Sequence, residues 1–268
     1  MLSLLRSIDR GDIDAQSEIG VSNAMRSLRC NTSWPGTFAM MAAFIFVEIA
    51  CWCAVQAGGR SAPVPADYGS SAPAIVTRAM WQAKQPLPGM SPQQPVGIIL
   101  HNTGVHSNPK IPIETKMRNL QSFSQRESHR VSGQLKKIWP DVPYHFYIDT
   151  LGRIAEGRDV LFAGDTNTNY NTSGFIQVVL EGDFEKEEPT LDQLESVRNL
   201  LVWLTLSWHL RIEDISVHKD HAPSTCPGRN FMTELPNVLS RVTVQRTAAI
   251  ANICSRHPTP EVGALYCR

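Results

Sequence analysis

The sequence predicts a single α/β domain with a central mixed β-sheet flanked by helices. Two observations carry this prediction. Short apolar segments with the length of strands alternate with longer segments whose apolar residues recur every three or four positions, as in amphipathic helices. No internal repeat divides the chain. One layered domain over residues 78–244 therefore accounts for the pattern.

Five segments have the pattern of strands. Residues 96–100 (VGIIL) form a continuous apolar run, as expected of a strand that is covered on both faces. The other four are shorter or mixed runs between turn residues, at positions 144–149, 153–156, 175–180 and 215–218. Several strands of this length indicate a sheet and not an isolated hairpin.

Three segments have the spacing of helices. Residues 113–129 carry apolar side chains at three- and four-residue intervals, and residues 231–242 predict a final helix. Residues 191–210 are the longest of the three. They follow Thr190, with Gln193 three positions later, which is the pattern of a capping box at a helix start. We expect this long helix to pack on the sheet.

The composition excludes some classes of protein. The chain has 268 residues, of which 42% are hydrophobic and 19% charged, so it can bury a sizeable core and is not disordered throughout. Lysine plus arginine and aspartate plus glutamate number 25 each, which gives a formal net charge of zero. A neutral chain has no general attraction for nucleic acid. We expect a monomer that does not bind nucleic acid.

The N-terminal part has the features of an export signal. Residues 25–57 contain two arginines, then an apolar stretch at 38–55, then small residues where a signal peptidase cleaves. The alternative is a membrane anchor, because the stretch is long enough to span a bilayer. Glu48, in its middle, favours cleavage, since a central charge costs about 2.5 to 3.5 kcal/mol. Residues 1–24 would be an upstream extension before a start at Met25.

Either alternative places the rest of the chain outside the cytoplasm. We expect a secreted or periplasmic protein without stable membrane insertion if the signal is cleaved, and a membrane-anchored one if it is not. Residues 58–77 are rich in Gly, Ser, Ala and Pro, and predict a disordered, flexible spacer without a fold.

The C-terminal residues 245–268 predict a tail that contains a disulfide. Removal of the signal leaves three cysteines in an oxidising compartment. Cys254 and Cys267 can close a loop, which the chain-entropy model values at about 3 kcal/mol. The third cysteine, Cys226, then needs a separate explanation.

Three side chains that can bind zinc lie where predicted strands meet loops. His101 follows the first strand, His218 is at the end of the last strand after Val217, and Cys226 lies in the next loop. Prolines on both sides of this loop exclude a helix, so the loop must fold back and bring the sulfur toward the histidine. Two imidazoles and one thiolate leave a fourth position open for water, as in catalytic zinc sites.

Each of these residues alone has a simpler interpretation. A single histidine is more often a hydrogen-bonded structural residue, and a single cysteine is more often buried or in a disulfide. The combination favours a metal site, because zinc binding also explains the odd cysteine. A closed structural zinc site would need a fourth ligand, and no other Cys or His stands at a suitable spacing.

Several segments between residues 78 and 242 match one family. The chain resembles the zinc-dependent N-acetylmuramoyl-L-alanine amidases of the peptidoglycan recognition protein and phage amidase type. The matching segments are 78–81 (RAMW), 98–103 (IILHNT), 141–149 (DVPYHFYID), 152–154 (GRI), 156–158 (EGR), Asn171, 181–184 (EGDF), 218–220 (HKD) and 226–228 (CPG).

The resemblance implies a ligand set and a catalytic residue. It implies that His101, His218 and Cys226 hold Zn²⁺, and that Tyr144 lies beside the metal as a donor to the oxyanion. Relatives have Lys or Thr two residues before the cysteine ligand, where this chain has Ser224, which would give a supporting hydrogen bond. Tyr144 and the adjacent His145 point to opposite faces of a strand, so at most one faces the metal.

The resemblance also implies the substrate. We expect hydrolysis of the amide between N-acetylmuramic acid and L-alanine in bacterial peptidoglycan, with peptidoglycan as the partner. The alternative is a peptidoglycan-binding module that does not cleave, a class that the family also includes. Binding-only relatives typically lack the cysteine ligand, and this chain keeps Cys226.

Overall fold

A computed structural model of the protein describes residues 72–129, 135–256 and 266. Eight strands and three α-helices lie in this part of the chain. The strands are β1 (Ile75–Val76), β2 (Gly97–Asn102), β3 (Ser128–His129), β4 (Leu135–Lys136), β5 (Phe146–Ile148), β6 (Ile154–Glu156), β7 (Phe175–Leu180) and β8 (Ile215–Val217). The helices are α1 (Ile113–Ser124), α2 (Leu191–Ser207) and α3 (Arg229–Arg256).

The main sheet has six strands in the order β1-β6-β5-β7-β2-β8. Every neighbouring pair is parallel except β5 with β6, which is antiparallel. The prediction of a mixed sheet in an α/β domain is therefore confirmed. Strands β3 and β4 form a separate antiparallel hairpin that was not predicted.

The larger core lies between one face of the sheet and helices α2 and α3. Its members are apolar residues of the central strands and of both helices, including Ile98, Val178, Leu200, Val238 and Val242. Helix α2 begins with the predicted capping box, in which Thr190 Oγ1 accepts the backbone N–H of Gln193 at 3.1 Å. Helices α2 and α3 thus cover one face of the main sheet, and the opposite face is covered in part by α1.

A smaller core covers part of the opposite face of the sheet. Helix α1 contributes Ile113 and Met117, which pack with Trp81, Tyr147 and Val179. The Trp81 indole is fully buried, and its N–H donates to the backbone carbonyl of Glu156 at 2.7 Å. The open part of this face, toward β2 and β8, is where the predicted metal ligands lie.

The secondary structure at both ends of the domain differs from that predicted. The final helix continues to Arg256 instead of ending at 242, because Ile253 is buried in the larger core and Ile250 packs against it. The spacer predicted at 58–77 includes strand β1, because its backbone pairs in parallel with β6. Regular secondary structure thus begins before residue 78, with β1, and continues past residue 244, with α3.

The first helix ends earlier than predicted, at Ser124 and not at 129. The buried Lys136 of the hairpin donates from Nζ to the backbone oxygen of Ser124 at 2.9 Å. A cation on a last-turn carbonyl is a common way to end a helix. The chain then enters the β3–β4 hairpin.

The N-terminal predictions concern residues that the structure does not describe. The extension at 1–24, the signal or anchor at 25–57 and most of the spacer lie outside the described residues. In the part of the chain from residue 72 onward that is described, no helix is both long and apolar enough to cross a membrane. The pairing of Cys254 with Cys267 remains a prediction, since residue 267 is also outside.

Candidate metal centre

The two histidines are brought together by adjacent parallel strands. Leu100 of β2 is in register with Val217 of β8, so the next residues, His101 and His218, lie side by side. Their ring centroids are 4.8 Å apart. His101 is buried within β2, whereas His218 begins a short 3-10 helix after β8. The sheet therefore fixes both imidazoles.

The loop after β8 folds back and brings Cys226 to the histidines, as predicted. The backbone N–H of Lys219 donates to the carbonyl of Cys226 at 3.1 Å, which closes the loop. Ser224 Oγ accepts the N–H of Cys226 at 3.1 Å, and the N–H of Asn102 donates to Cys226 Sγ at 3.2 Å. Contacts with Lys219, Ser224 and Asn102 thus position Cys226 and its sulfur.

The ligand atoms of His101, His218 and Cys226 all lie within 4.8 Å of one another. Cys226 Sγ is 3.7 Å from His101 Nδ1. Tetrahedral zinc with ordinary Zn–N and Zn–S bond lengths places such atoms about 3.6 Å apart. The spacing of these two donors therefore fits zinc.

The protonation of the three side chains also suits a cation. Burial, and next the neighbouring His218, lower the pKa of His101 well below its usual value of 6.5. Burial and His221 lower the pKa of His218. Both imidazoles are therefore neutral near pH 7 and can donate a lone pair. Burial raises the pKa of the Cys226 thiol to about 12, so a thiolate there requires a nearby positive charge.

The outer nitrogen of His218 has a partner. Thr168 Oγ1 lies 2.7 Å from His218 Nε2, and Thr166 Oγ1 in turn lies 2.8 Å from Thr168 Oγ1. This bond occupies Nε2 and leaves Nδ1 for an ion. Nε2 of His101, by contrast, is buried without a hydrogen-bond partner.

Tyr144 lies next to the three candidate ligands. Its ring centroid is 5.3 Å from that of His101. Burial, followed by the proximity of Cys226, raises the pKa of the Tyr144 hydroxyl. The phenol therefore keeps its proton at neutral pH and can donate a hydrogen bond.

His145 does not belong to the centre. It is fully buried, its Nδ1 accepts the backbone N–H of Gln177 at 2.7 Å, and its Nε2 is 2.9 Å from the carbonyl oxygen of Phe162. Burial lowers the pKa of His145 to about 4. Of the two adjacent candidates, Tyr144 is thus the one beside the ligands.

Three residues around the centre were not singled out from the sequence. Thr168 and Tyr170 come from the loop before β7, and the Tyr170 ring lies 5.4 Å from the ring of His218. Gln177 is a fully buried polar residue of β7. Its position in an apolar strand was the one available signal, whereas nothing in the loop sequence marked Thr168 or Tyr170.

A family model described as N-acetylmuramoyl-L-alanine amidase (Amidase_2) matches residues 91–229, which is more than half of the chain. The chain belongs to the Amidase_2 family. The matched range contains the three candidate ligands and Tyr144, and the expected family is confirmed.

Named relatives of this Amidase_2 chain include both recognition proteins and amidases. Peptidoglycan-recognition protein SD of Drosophila simulans is 31% identical over 134 residues, covering 47% of this chain and 64% of the relative. The human N-acetylmuramoyl-L-alanine amidase is 26% identical over 196 residues, covering 70% of this chain and 33% of the relative. The chain thus spans less than two thirds of either relative.

A solved structure supports the fold of the Amidase_2 domain. Peptidoglycan recognition protein LE, in complex with tracheal cytotoxin, a monomeric diaminopimelic acid-type peptidoglycan, superimposes with a TM-score of 0.51. The identity is 28%, and the match covers 61% of this chain and 92% of that structure. The α/β fold predicted from the sequence is therefore that of the family.

Proposed function

We propose that this protein is an exported, monomeric, zinc-dependent amidase that hydrolyses the bond between N-acetylmuramic acid and L-alanine in bacterial peptidoglycan. The observation that carries the proposal is the convergence of His101, His218 and Cys226 from distant parts of the chain. Family membership supplies the substrate class, and the donor set supplies the argument for catalysis.

The donor set is that of a catalytic and not a structural zinc site. When bound, zinc would supply a Lewis acid and lower the pKa of a water molecule to about 7. Among the residues that the structure describes, no fourth His, Cys, Asp or Glu joins the group. Three protein ligands with one open position are typical of zinc hydrolases.

Tyr144 would stabilise the negative charge that develops on the scissile carbonyl oxygen. Its hydroxyl stays protonated because burial raises its pKa, so it can donate a hydrogen bond as the oxyanion forms. Ser224 would support this donor. Its oxygen accepts the N–H of Cys226, and its own proton remains available for another acceptor.

The alternative function is peptidoglycan recognition without cleavage. It is favoured by the names of the relatives, several of which are peptidoglycan-recognition proteins. The retained cysteine ligand argues for cleavage, because binding alone needs no thiolate beside two neutral imidazoles. The two functions share a fold and a partner, and they differ in whether a bond is broken.

Digestion of purified peptidoglycan separates these functions. The protein is incubated with the polymer with and without a chelator, and released peptides are identified by mass spectrometry. We expect peptides with free L-alanine N-termini, zinc-dependent release, and none with Cys226→Ser. Binding to the polymer without release would establish the recognition module, and equal release by Cys226→Ser would exclude the metal centre from catalysis.

Export is part of the proposal. The signal features at 25–57 direct the domain to an oxidising compartment. There, a disulfide between Cys254 and Cys267 would close the C-terminal end of the chain. Cys226 is a free cysteine in the described residues, as a zinc ligand must be.

A further inference from the structure

Two buried polar groups beside the metal centre have no hydrogen-bond partner. They are Nε2 of His101 and the side-chain nitrogen of Gln177. The exposed fractions of these two residues are 3% and 0%. Buried polar groups without partners are rare and destabilising in folded proteins. A protonated His101 Nε2 at this depth therefore needs an acceptor from a neighbouring buried side chain.

The two residues share one face of the sheet. Strands β2 and β7 are parallel neighbours with His101 opposite Val179, so Gln177, two residues earlier on β7, points to the same side. Neighbouring strands of a sheet lie about 4.8 Å apart, so long side chains offset by two residues on one face can reach each other. The Gln177 amide is therefore within reach of the imidazole.

The arrangement of the ligands determines which ring nitrogen needs an acceptor. His101 Nδ1 lies 3.7 Å from Cys226 Sγ and faces the other donors. A nitrogen that binds zinc must carry its lone pair, so the ring proton belongs on Nε2. For His218, the equivalent nitrogen is paired with Thr168. For His101, Gln177 is a buried polar side chain on the same face of the neighbouring strand.

We propose that Gln177 is a positioning residue for the metal centre, whose amide oxygen accepts the Nε2 proton of His101 and so directs Nδ1 toward the ion. The inference rests on the proposed function in one respect, which is that His101, His218 and Cys226 bind zinc. It does not depend on which bond the enzyme cleaves. Outer partners of this kind fix the tautomer and orientation of metal-binding histidines.

Gln177 is itself held firmly enough to orient a neighbour. Its backbone N–H donates to His145 Nδ1 at 2.7 Å, and its carbonyl accepts the N–H of His145 at 2.8 Å. The Tyr170 hydroxyl donates to the Gln177 amide oxygen at 3.4 Å. An amide oxygen has two lone pairs, so it can accept from Tyr170 and His101 together.

The test is zinc affinity, measured by competition with a chromophoric chelator on the full-length protein. We expect Gln177→Met to weaken zinc binding about ten- to hundredfold. Gln193→Met is the matched control, because Gln193 is an equally buried amide that bonds the Glu181 carbonyl away from the ligands. It should leave zinc affinity within about twofold of wild type. Equal losses in both variants would overturn the proposal.

A conservative variant and a spectroscopic signature complete the test. Gln177→Glu keeps an acceptor and should retain zinc affinity, so a loss as large as that of Gln177→Met would contradict the inference. In the zinc-loaded protein, nitrogen NMR of the histidine rings should show a protected Nε2 proton on His101 that Gln177→Met exposes to exchange. A proton on Nδ1 would refute it.

The outcome separates this inference from the proposed function. Wild-type protein that binds zinc at Cys226 but cleaves no peptidoglycan would refute the amidase and still allow Gln177 to be judged. Wild-type protein that binds no zinc would overturn both.

Discussion

Protonation of His145 should destabilise the fold between pH 6.5 and pH 4. Burial lowers the pKa of His145 from 6.5 to about 4 in the folded state. The unfolded chain takes up this proton near pH 6.5, whereas the folded chain does so only near pH 4. The unfolded state thus binds more protons in this window, and the free energy of unfolding falls as the pH falls. The difference corresponds to about 3 kcal/mol.

The assay is urea unfolding at a series of pH values, followed by tryptophan fluorescence, with a chelator present so that zinc release contributes nothing. His145→Gln is the comparison, since His101 and His218 are common to both proteins and their titration cancels. The variant should be less stable by roughly 1 to 3 kcal/mol at pH 7, because the bonds of His145 to Gln177 and Phe162 are altered. Because the variant lacks this titrating group, its free energy of unfolding should fall less between pH 6.5 and pH 4 than that of the wild type. Parallel profiles would refute the reasoning.

Three further predictions concern catalysis and maturation. Tyr144→Phe should lower kcat by about ten- to a thousandfold with zinc content unchanged, because the oxyanion loses one donor; normal turnover would remove Tyr144 from the mechanism. Peptide mapping of unreduced protein should find Cys254 joined to Cys267 and Cys226 free, whereas a disulfide at Cys226 would contradict zinc binding. N-terminal sequencing of the exported protein should begin near Gly58, and a cytoplasmic protein that starts at the first methionine would contradict export.

The sheet and the clustering of His101, His218 and Cys226 were predictable because both follow from strong local patterns. The predicted strand at 175–180 coincides with β7, and the capping box at Thr190 marks the start of α2. The proximity of the two histidines was predictable because His101 and His218 lie at the ends of two apolar strands, and parallel neighbours place such ends together. Prolines in the next loop exclude a helix there, so a loop that folds back toward the histidines was the expected path for Cys226.

Features that depend on tertiary packing could not be predicted. Helix α3 continues past 242 because Ile253, about three turns further on, is buried and Ala249 and Ile250 pack against the larger core. No residue from 243 to 248 is buried, and this gap interrupts the apolar pattern that would have predicted the longer helix. Thr168 reaches His218 across a gap of fifty residues, and a loop threonine has no pattern that predicts such a contact.

The sulfur of Cys226 is attached to a surface loop, and the core residues lie elsewhere. Its contacts are with the backbone of Asn102 and the ring of His101, not with the apolar side chains that join the sheet to α2 and α3. Under the proposed function, replacement of this one side chain removes a zinc donor and leaves the packing of the larger core unchanged. Loss of cleavage and loss of folding are therefore separable at this position.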